Sequence, residues 1–252
     1  MFVSSGRRPG RREGRCRPWL DAVLLAALDS QALVPAVAHA RENGIPVATF
    51  DSGVDGAVVT HVGTDNRSAG ARAARELGAL IGGGGTVGMI IHDAGSETGA
   101  RRRDGFIEEM QARYPDVSLL PPRYGLGDHE LSAELTRELL AAHPEMNAVF
   151  AANEGSAIGA AEALSAPERS DIVLVAFDAA PEQVEFLRTG VIDGLVVQDP
   201  FNMGYLGVQA LYKHLQGAEV PQRIETAVTY VTAENVESPE VRRLLHPDRD
   251  AW

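Results

Sequence analysis

The chain has 252 residues, 44% of them hydrophobic and 23% charged, and a formal net charge of -12. That length suffices for one large or two small domains, and the acidic balance argues against a phosphate-binding nucleic-acid surface, which needs clustered lysine and arginine. A single cysteine, Cys16, excludes an internal disulfide and a cysteine-based metal centre, and no apolar run reaches the ~18 residues of a membrane helix.

Residues 1–17 stand apart in composition. Arg7, Arg8, Arg11, Arg12, Arg15 and Arg17 lie among glycine, proline and serine without apolar periodicity, which predicts a disordered basic leader. The stretch from Arg17 to Ala40 has the outline of a secretory signal: arginines, an apolar run, then Ala38-His39-Ala40. Asp21 and Asp29, however, confine the apolar run to Ala22–Leu28, and a signal needs an uninterrupted apolar core just before the cleavage site. Asp29-Ser30 supplies N-cap chemistry for a helix instead. Ala32, Leu33, Ala36, Val37 and Ala40 follow at helical spacing, then Gly44 and an apolar strand over Ile45–Phe50. Strand, loop, helix, glycine, strand is a βαβ unit of a parallel sheet.

The alternation continues to about residue 215. Further strands are predicted over Thr60–Gly63, Thr86–Ile91, Val117–Pro121, Ala148–Ala152, Ile172–Phe177 and Gly194–Val197. Helices are predicted over Asn66–Ile81, Thr98–Tyr114, Leu131–Ala142, Glu154–Leu164, Pro181–Thr189 and Phe201–Leu215. Runs such as IVLVAF, apolar on both faces, belong to a parallel sheet covered on both sides. The fold class is therefore α/β, doubly wound.

No motif calls for catalysis or a cofactor. The run Gly82–Gly85 opens a G-x-G-x-x-G match, but a helix precedes it and a strand follows, the reverse of a dinucleotide fingerprint, so a turn is expected. His129-Glu130 lacks the second histidine of a zinc motif. A nucleophile–base pair is not evident.

The informative positions are the strand ends, because open α/β sheets bind ligands outside the carboxyl ends of their strands. VATF runs into Asp51, AVFAA into Asn153-Glu154, IVLVAF into Asp178 and GLVV into Gln198. Arg101, Arg102 and Arg103 follow the loop after GMIIHD, with at most one of them expected to face inward. Carboxylates, amides and a guanidinium suit the paired donor and acceptor of sugar hydroxyls. Each of these residues alone is also compatible with a helix cap or a solvated face.

Taken together, FDSGV, HVGTDNRSAG, SETGARRRDGF, AVFAANEGSAIGAAEAL, IVLVAFDAAPEQVEFLRTG, GLVVQDPFNMGYLGVQAL and the closing TYVTAENVESPEVRRLL resemble the periplasmic sugar-binding proteins of ABC importers, in particular the ribose-binding-protein-like group. The resemblance runs from about Asp21 to near Leu245. It implies two doubly wound lobes joined by a hinge, the type I periplasmic fold. Residues 18–64 with 199–227 would form the N-terminal lobe, and 65–198 with 228–252 the C-terminal lobe. It implies ligand-binding roles for Asp51, Arg102, Asn153, Asp178 and Gln198, with no cofactor or metal and no catalysis. The expected partners are a monosaccharide or polyol and an ABC permease, with no nucleic acid and a monomeric state. The implied location is the periplasm or cell envelope, although the chain as it stands shows no export signal and would on that ground remain cytoplasmic.

Two departures from the family pattern bear on this reading. The first two βα units of the family have no counterpart here, so an incomplete N-terminal lobe and even a non-functional binding protein are expected alternatives. Gly127-Asp128-His129 stands where relatives often place an aromatic residue. A lac-repressor-type regulator core shares the fold, but residues 1–17 are too short and too rich in glycine and proline for the helix-turn-helix it needs.

Overall fold

The computed structural model describes residues 2–3, 20–27, 29–165 and 171–247. In chain order the elements are β1 (Phe2–Val3), β2 (Ala22–Leu25), α1 (Val34–Glu42), β3 (Val47–Phe50), β4 (His61–Thr64), α2 (Asn66–Leu80), β5 (Gly85–Ile91), α3 (Glu97–Arg113), β6 (Val117–Leu119), β7 (Arg123–Tyr124), α4 (His129–Ala142), β8 (Met146–Ala151), α5 (Glu154–Leu164), β9 (Val173–Phe177), α6 (Pro181–Arg188), β10 (Gly194–Val197), α7 (Pro200–Leu215), β11 (Arg223–Thr226), β12 (Thr229–Val231) and α8 (Pro239–Leu245). They divide into two compact units, residues 1–64 with 200–226 and residues 65–199 with 227–252, so the chain passes from one unit to the other three times.

The first unit is a sheet of order β1-β2-β3-β4-β11. β2, β3, β4 and β11 run parallel, and β1 pairs antiparallel with β2, placing Phe2 opposite Val23 and Val3 opposite Ala22. Phe2 and Val3 thus belong to a strand within the stretch read as a structureless leader; the rest of residues 1–17 lies outside the described residues. Ala22, Leu24 and Ala48 pack with Leu211 of α7 into a small core. Asp29 does not cap α1. Its carboxylate accepts the backbone N–H groups of Gln31 and Ala32 at 2.8 and 3.0 Å, closing a local turn. The helix begins later, at Val34, with Pro35 in its first turn, where a missing N–H costs nothing.

The second unit is a seven-stranded sheet of order β12-β10-β9-β8-β5-β6, with β7 also pairing with β5. β12 is antiparallel to β10, and the other pairs are parallel. Its central strands are buried on both faces, and strand periodicity divides their side chains between two cores. Val149, Ala151, Leu174, Ala176, Leu195 and Val197 enter one core. Ala148, Phe150, Val175, Phe177 and Val196 enter the other, with Ala73 and Leu77 of α2 and Phe106 and Met110 of α3. In this second core Phe106 stacks on Phe150 with ring centroids 4.1 Å apart, and Phe150 meets Phe177 edge-on at 6.1 Å. The glycine run forms the turn between α2 and β5, with Gly82, Gly83 and Gly85 at φ of 67°, 80° and 119°, values that disfavour a side chain.

Asp193 precedes β10 and illustrates the demands of this core. Its carboxylate accepts the Leu174 N–H at 2.8 Å, yet burial holds its pKa above the ordinary aspartate value. A carboxyl raised in the folded state contributes stability below its unfolded pKa and loses that contribution as pH rises through the folded pKa. Asp193→Asn keeps the acceptor and removes the charge. Its melting temperature is therefore expected to exceed that of the wild type at pH 7, with the advantage gone below about pH 4; thermal melts of both proteins across that range check it.

Candidate functional site

In the second unit the chain lays β6 on one side of β5, then returns to lay β8 on the other side and continues outward through β9 and β10. The direction of winding reverses between β5 and β8, and the crevice outside the carboxyl ends at such a reversal is where these sheets bind ligands. Of the residues singled out from sequence, Arg102, Asn153, Asp178 and Gln198 belong to this unit. The structure joins Arg102, Asp178 and Gln198 through side-chain contacts there.

Arg102 is the centre of the cluster. It lies on α3, is only 4% exposed, and its charge is compensated on several sides. Nε donates to Asn66 Oδ1 at 2.8 Å, and Nη1 donates to the carbonyl of Ala152, just past β8, at 2.9 Å. The guanidinium carbon sits 4.3 Å from the centre of the Phe177 ring, an attractive placement for a cation. The Asp178 carboxylate is 3.9 Å from Nη1. A cation this deeply buried is stable only with such partners.

Its position follows from how α2 and α3 cross. A Cβ on Gly70 of α2 would lie 2.0 Å from the Arg102 carbonyl oxygen, and one on Gly105 of α3 the same 2.0 Å from that of Arg67. The two helices approach to backbone contact because both positions lack side chains, and that approach brings Asn66, the first residue of α2, within reach of the guanidinium. The neighbours of Arg102 face elsewhere: Arg101 pairs with Glu97 and Arg103 with Asp104 and Tyr124.

Asp178 follows β9 with φ of 73°. It does not cap the helix after it, which starts beyond Ala180. Its carboxylate spans two other elements instead. Oδ2 accepts the N–H of Glu154, the first residue of α5, at 3.1 Å, and Oδ1 accepts the Gln198 side-chain amide at 2.8 Å. The remaining amide oxygen of Gln198 is buried and finds no hydrogen-bond partner among the described residues. Asn153 stands at the N-cap of α5 but makes no capping bond to its backbone; its Oδ1 accepts the Ser156 hydroxyl at 2.5 Å.

Asp51 belongs to the first unit, after β3, with φ of 56°. No helix follows it directly, so the capping alternative does not apply. Its N–H extends the ladder to the Val62 carbonyl at 2.8 Å, and its carboxylate accepts the Ser52 hydroxyl at 3.2 Å. Sequence reasoning passed over Asn66 and Phe177 as site residues, since one lay in a helix start and the other read only as a core aromatic.

An α/β protein with carboxylate, amide and guanidinium groups gathered at a sheet reversal belongs to the class of small-molecule binding proteins. The comparisons narrow that class. Residues 15–219 match the family described as periplasmic binding protein domain, and the chain belongs to that family. The ribose import binding protein of Escherichia coli is 32% identical over 199 residues, spanning 79% of this chain and 67% of that protein. An ABC transporter solute binding protein from Agrobacterium vitis, solved with alpha-D-tagatopyranose, is 32% identical with a TM-score of 0.86, covering 91% of this chain and 80% of its own. A second protein from that organism, solved with D-fucose, is 32% identical with a TM-score of 0.85 over 90% and 80% of the two chains. Among the described residues no helix is long and apolar enough to cross a membrane.

Asn66→Ala is expected to leave the buried Nε of Arg102 without its acceptor and to destabilise the protein by about 2 kcal/mol, read from urea unfolding. Asn66→Asp, which retains an acceptor oxygen, restores most of that loss.

Proposed function

We propose that this chain is the solute-binding component of an ABC importer, that it takes a monosaccharide or polyol, and that it binds its ligand without transforming it. The observation that carries this reading is the cluster at the sheet reversal. Arg102 commits two N–H groups to Asn66 and Ala152, Asp178 holds Gln198, and Gln198 keeps a buried carbonyl oxygen with no hydrogen-bond partner among the described residues. A buried acceptor without a donor costs about 1–3 kcal/mol. A sugar hydroxyl donating to Gln198 Oε1 while accepting from Arg102 removes that cost and uses both halves of the hydroxyl.

In this reading Arg102, Asn153, Asp178 and Gln198 of the second unit are ligand-binding residues, and so is Asp51 of the first unit. The ligand-bound form is what the membrane permease recognises. Selectivity comes from the polar groups left unpaired by a ligand that lacks the matching hydroxyl. The location inferred from the family is the periplasm. Related proteins solved with tagatopyranose and with fucose support a sugar as ligand.

The deciding experiment is a thermal melt of the chain with and without D-ribose, D-tagatose, D-fucose and xylitol. A ligand that binds only the native state must raise the melting temperature, so at least one of the four is expected to do so. Asp178→Asn replaces one of the two acceptor oxygens with an NH2 donor, so one of the N–H groups of Gln198 and Glu154 loses its acceptor and faces a donor. It is expected to weaken that sugar's affinity by 100-fold or so. A melting curve indifferent to all four ligands would overturn the proposal.

A further inference from the structure

Asp55 lies in the loop between β3 and β4 of the first unit, shortly beyond Asp51. Its side chain reaches the loop between β2 and α1. A single oxygen, Oδ2, accepts the Ser30 hydroxyl at 3.0 Å and the Gln31 side-chain amide. The backbones join the same two loops: Asp55 N–H donates to the Ser30 carbonyl at 2.9 Å, and Ala27 N–H donates to the Ser52 carbonyl at 3.2 Å. The loop that receives Asp55 is itself shaped by Asp29, whose carboxylate accepts the N–H groups of Gln31 and Ala32. Residues 52 and 55 are thus fastened to residues 27, 30 and 31, far away in the chain.

What this fastening fixes is the path of the backbone as it leaves Asp51. Asp51 has φ of 56°, a conformation that a residue with a side chain adopts only where its surroundings hold it. On the strand side the hold is the N–H bond to the Val62 carbonyl at 2.8 Å. Gly63 leaves room for it there, since a Cβ at that position would stand 3.3 Å from the Asp51 carbonyl oxygen. On the far side the chain runs through Ser52, Gly53 and Val54, which belong to no helix or strand. A short irregular segment containing glycine has many conformations open to it, and the bonds at Ser52 and Asp55 select one. The Asp55 carboxylate is exposed and belongs to no core, so its bonds act on this segment rather than on the packing of the sheet.

We propose that Asp55 is a positioning residue for ligand binding: by tying the β3–β4 loop to the β2–α1 loop it holds the Asp51 carboxylate in its binding orientation. The inference rests on the proposed sugar-binding function and on the place of Asp51 in it. A carboxylate held before the ligand arrives does not have to be ordered during binding, and that saving appears as affinity.

The test is calorimetric titration of the full chain with D-ribose, D-tagatose and D-fucose, for the wild type, Asp55→Ala, Asp55→Asn, Asp51→Gly and the double variant Asp51→Gly with Asp55→Ala. Asp55→Ala is expected to bind the best sugar about tenfold more weakly. Asp55→Asn keeps one carbonyl oxygen, which suffices for both donors, and is expected to bind within about threefold of the wild type. Asp51→Gly suits the left-handed backbone, leaves no side chain to position and is expected to bind at least about tenfold more weakly. Adding Asp55→Ala to it is expected to cost less than about twofold more, whereas a residue that merely stabilised the first unit would cost the same factor in both backgrounds. Ser30→Ala combined with Gln31→Ala removes both donors, is expected to reproduce the loss seen in Asp55→Ala, and decides the matter if that variant does not fold. Wild-type affinity on removal of Asp55 or of its two donors, an equal loss in Asp55→Asn, wild-type affinity in Asp51→Gly, or a further tenfold loss in the double variant overturns the inference and leaves the sugar-binding function standing. A wild type that binds none of the sugars overturns that function and this inference with it.

Discussion

One buried positive charge organises the second unit. The Arg102 guanidinium needs partners wherever it cannot reach water, and its four partners come from three elements: Asn66 at the head of α2, the carbonyl of Ala152 after β8, and, at the end of β9, the ring of Phe177 and the carboxylate of Asp178 just beyond it. None of these can shift alone without exposing part of the charge to an apolar surrounding. The close crossing of α2 and α3 at Gly70 and Gly105 and the aromatic row from Phe106 through Phe150 to Phe177 are the apolar counterpart of that arrangement. They set the depth at which the guanidinium rests, while the polar partners set its orientation.

The strained backbone positions fit the same logic. Asp51 and Asp178 each follow the last residue of a strand and each donate an N–H back to the neighbouring strand, to Val62 and Val196. The ladder therefore continues one residue past the strand while the left-handed φ turns the chain away. Aspartate tolerates this better than most residues, and its carboxylate is delivered at the rim of the sheet. For Asp178 that placement allows a single side chain to tie β9 to the start of α5 and to Gln198.

Most of the second unit could be read in the sequence because its strands are long, apolar and buried on both faces; β8 and β9 left little room for another assignment. Elements that lack that signal were passed over. β11 is RIET, with only Thr226 buried; β7 and β12 are two and three residues long. α8 buries Val241 alone, so seven residues carry no clear periodicity. The strand expected over Ala22–Leu28 stops at Leu25, and that expected over Ile45–Phe50 begins at Val47, since residues bordering a strand can be apolar without joining its ladder. The strand-end polar residues were legible as a set from their spacing alone. Which of three successive arginines turns inward was not, because that depends on two glycines, one on each helix, each lying against a backbone carbonyl of the other helix.

The route of the chain has a consequence for synthesis. The second unit begins at residue 65 but is completed only after the chain has left it, built α7 and β11, and come back. Until β12 arrives, β10 has an open hydrogen-bonding edge, and Val231, Val236 and Val241 are missing from the core they finally share with Leu174 and Leu195. A nascent chain emerging from the ribosome thus holds a nearly finished sheet with one sticky border. That border is sealed only by residues translated after α7 and β11.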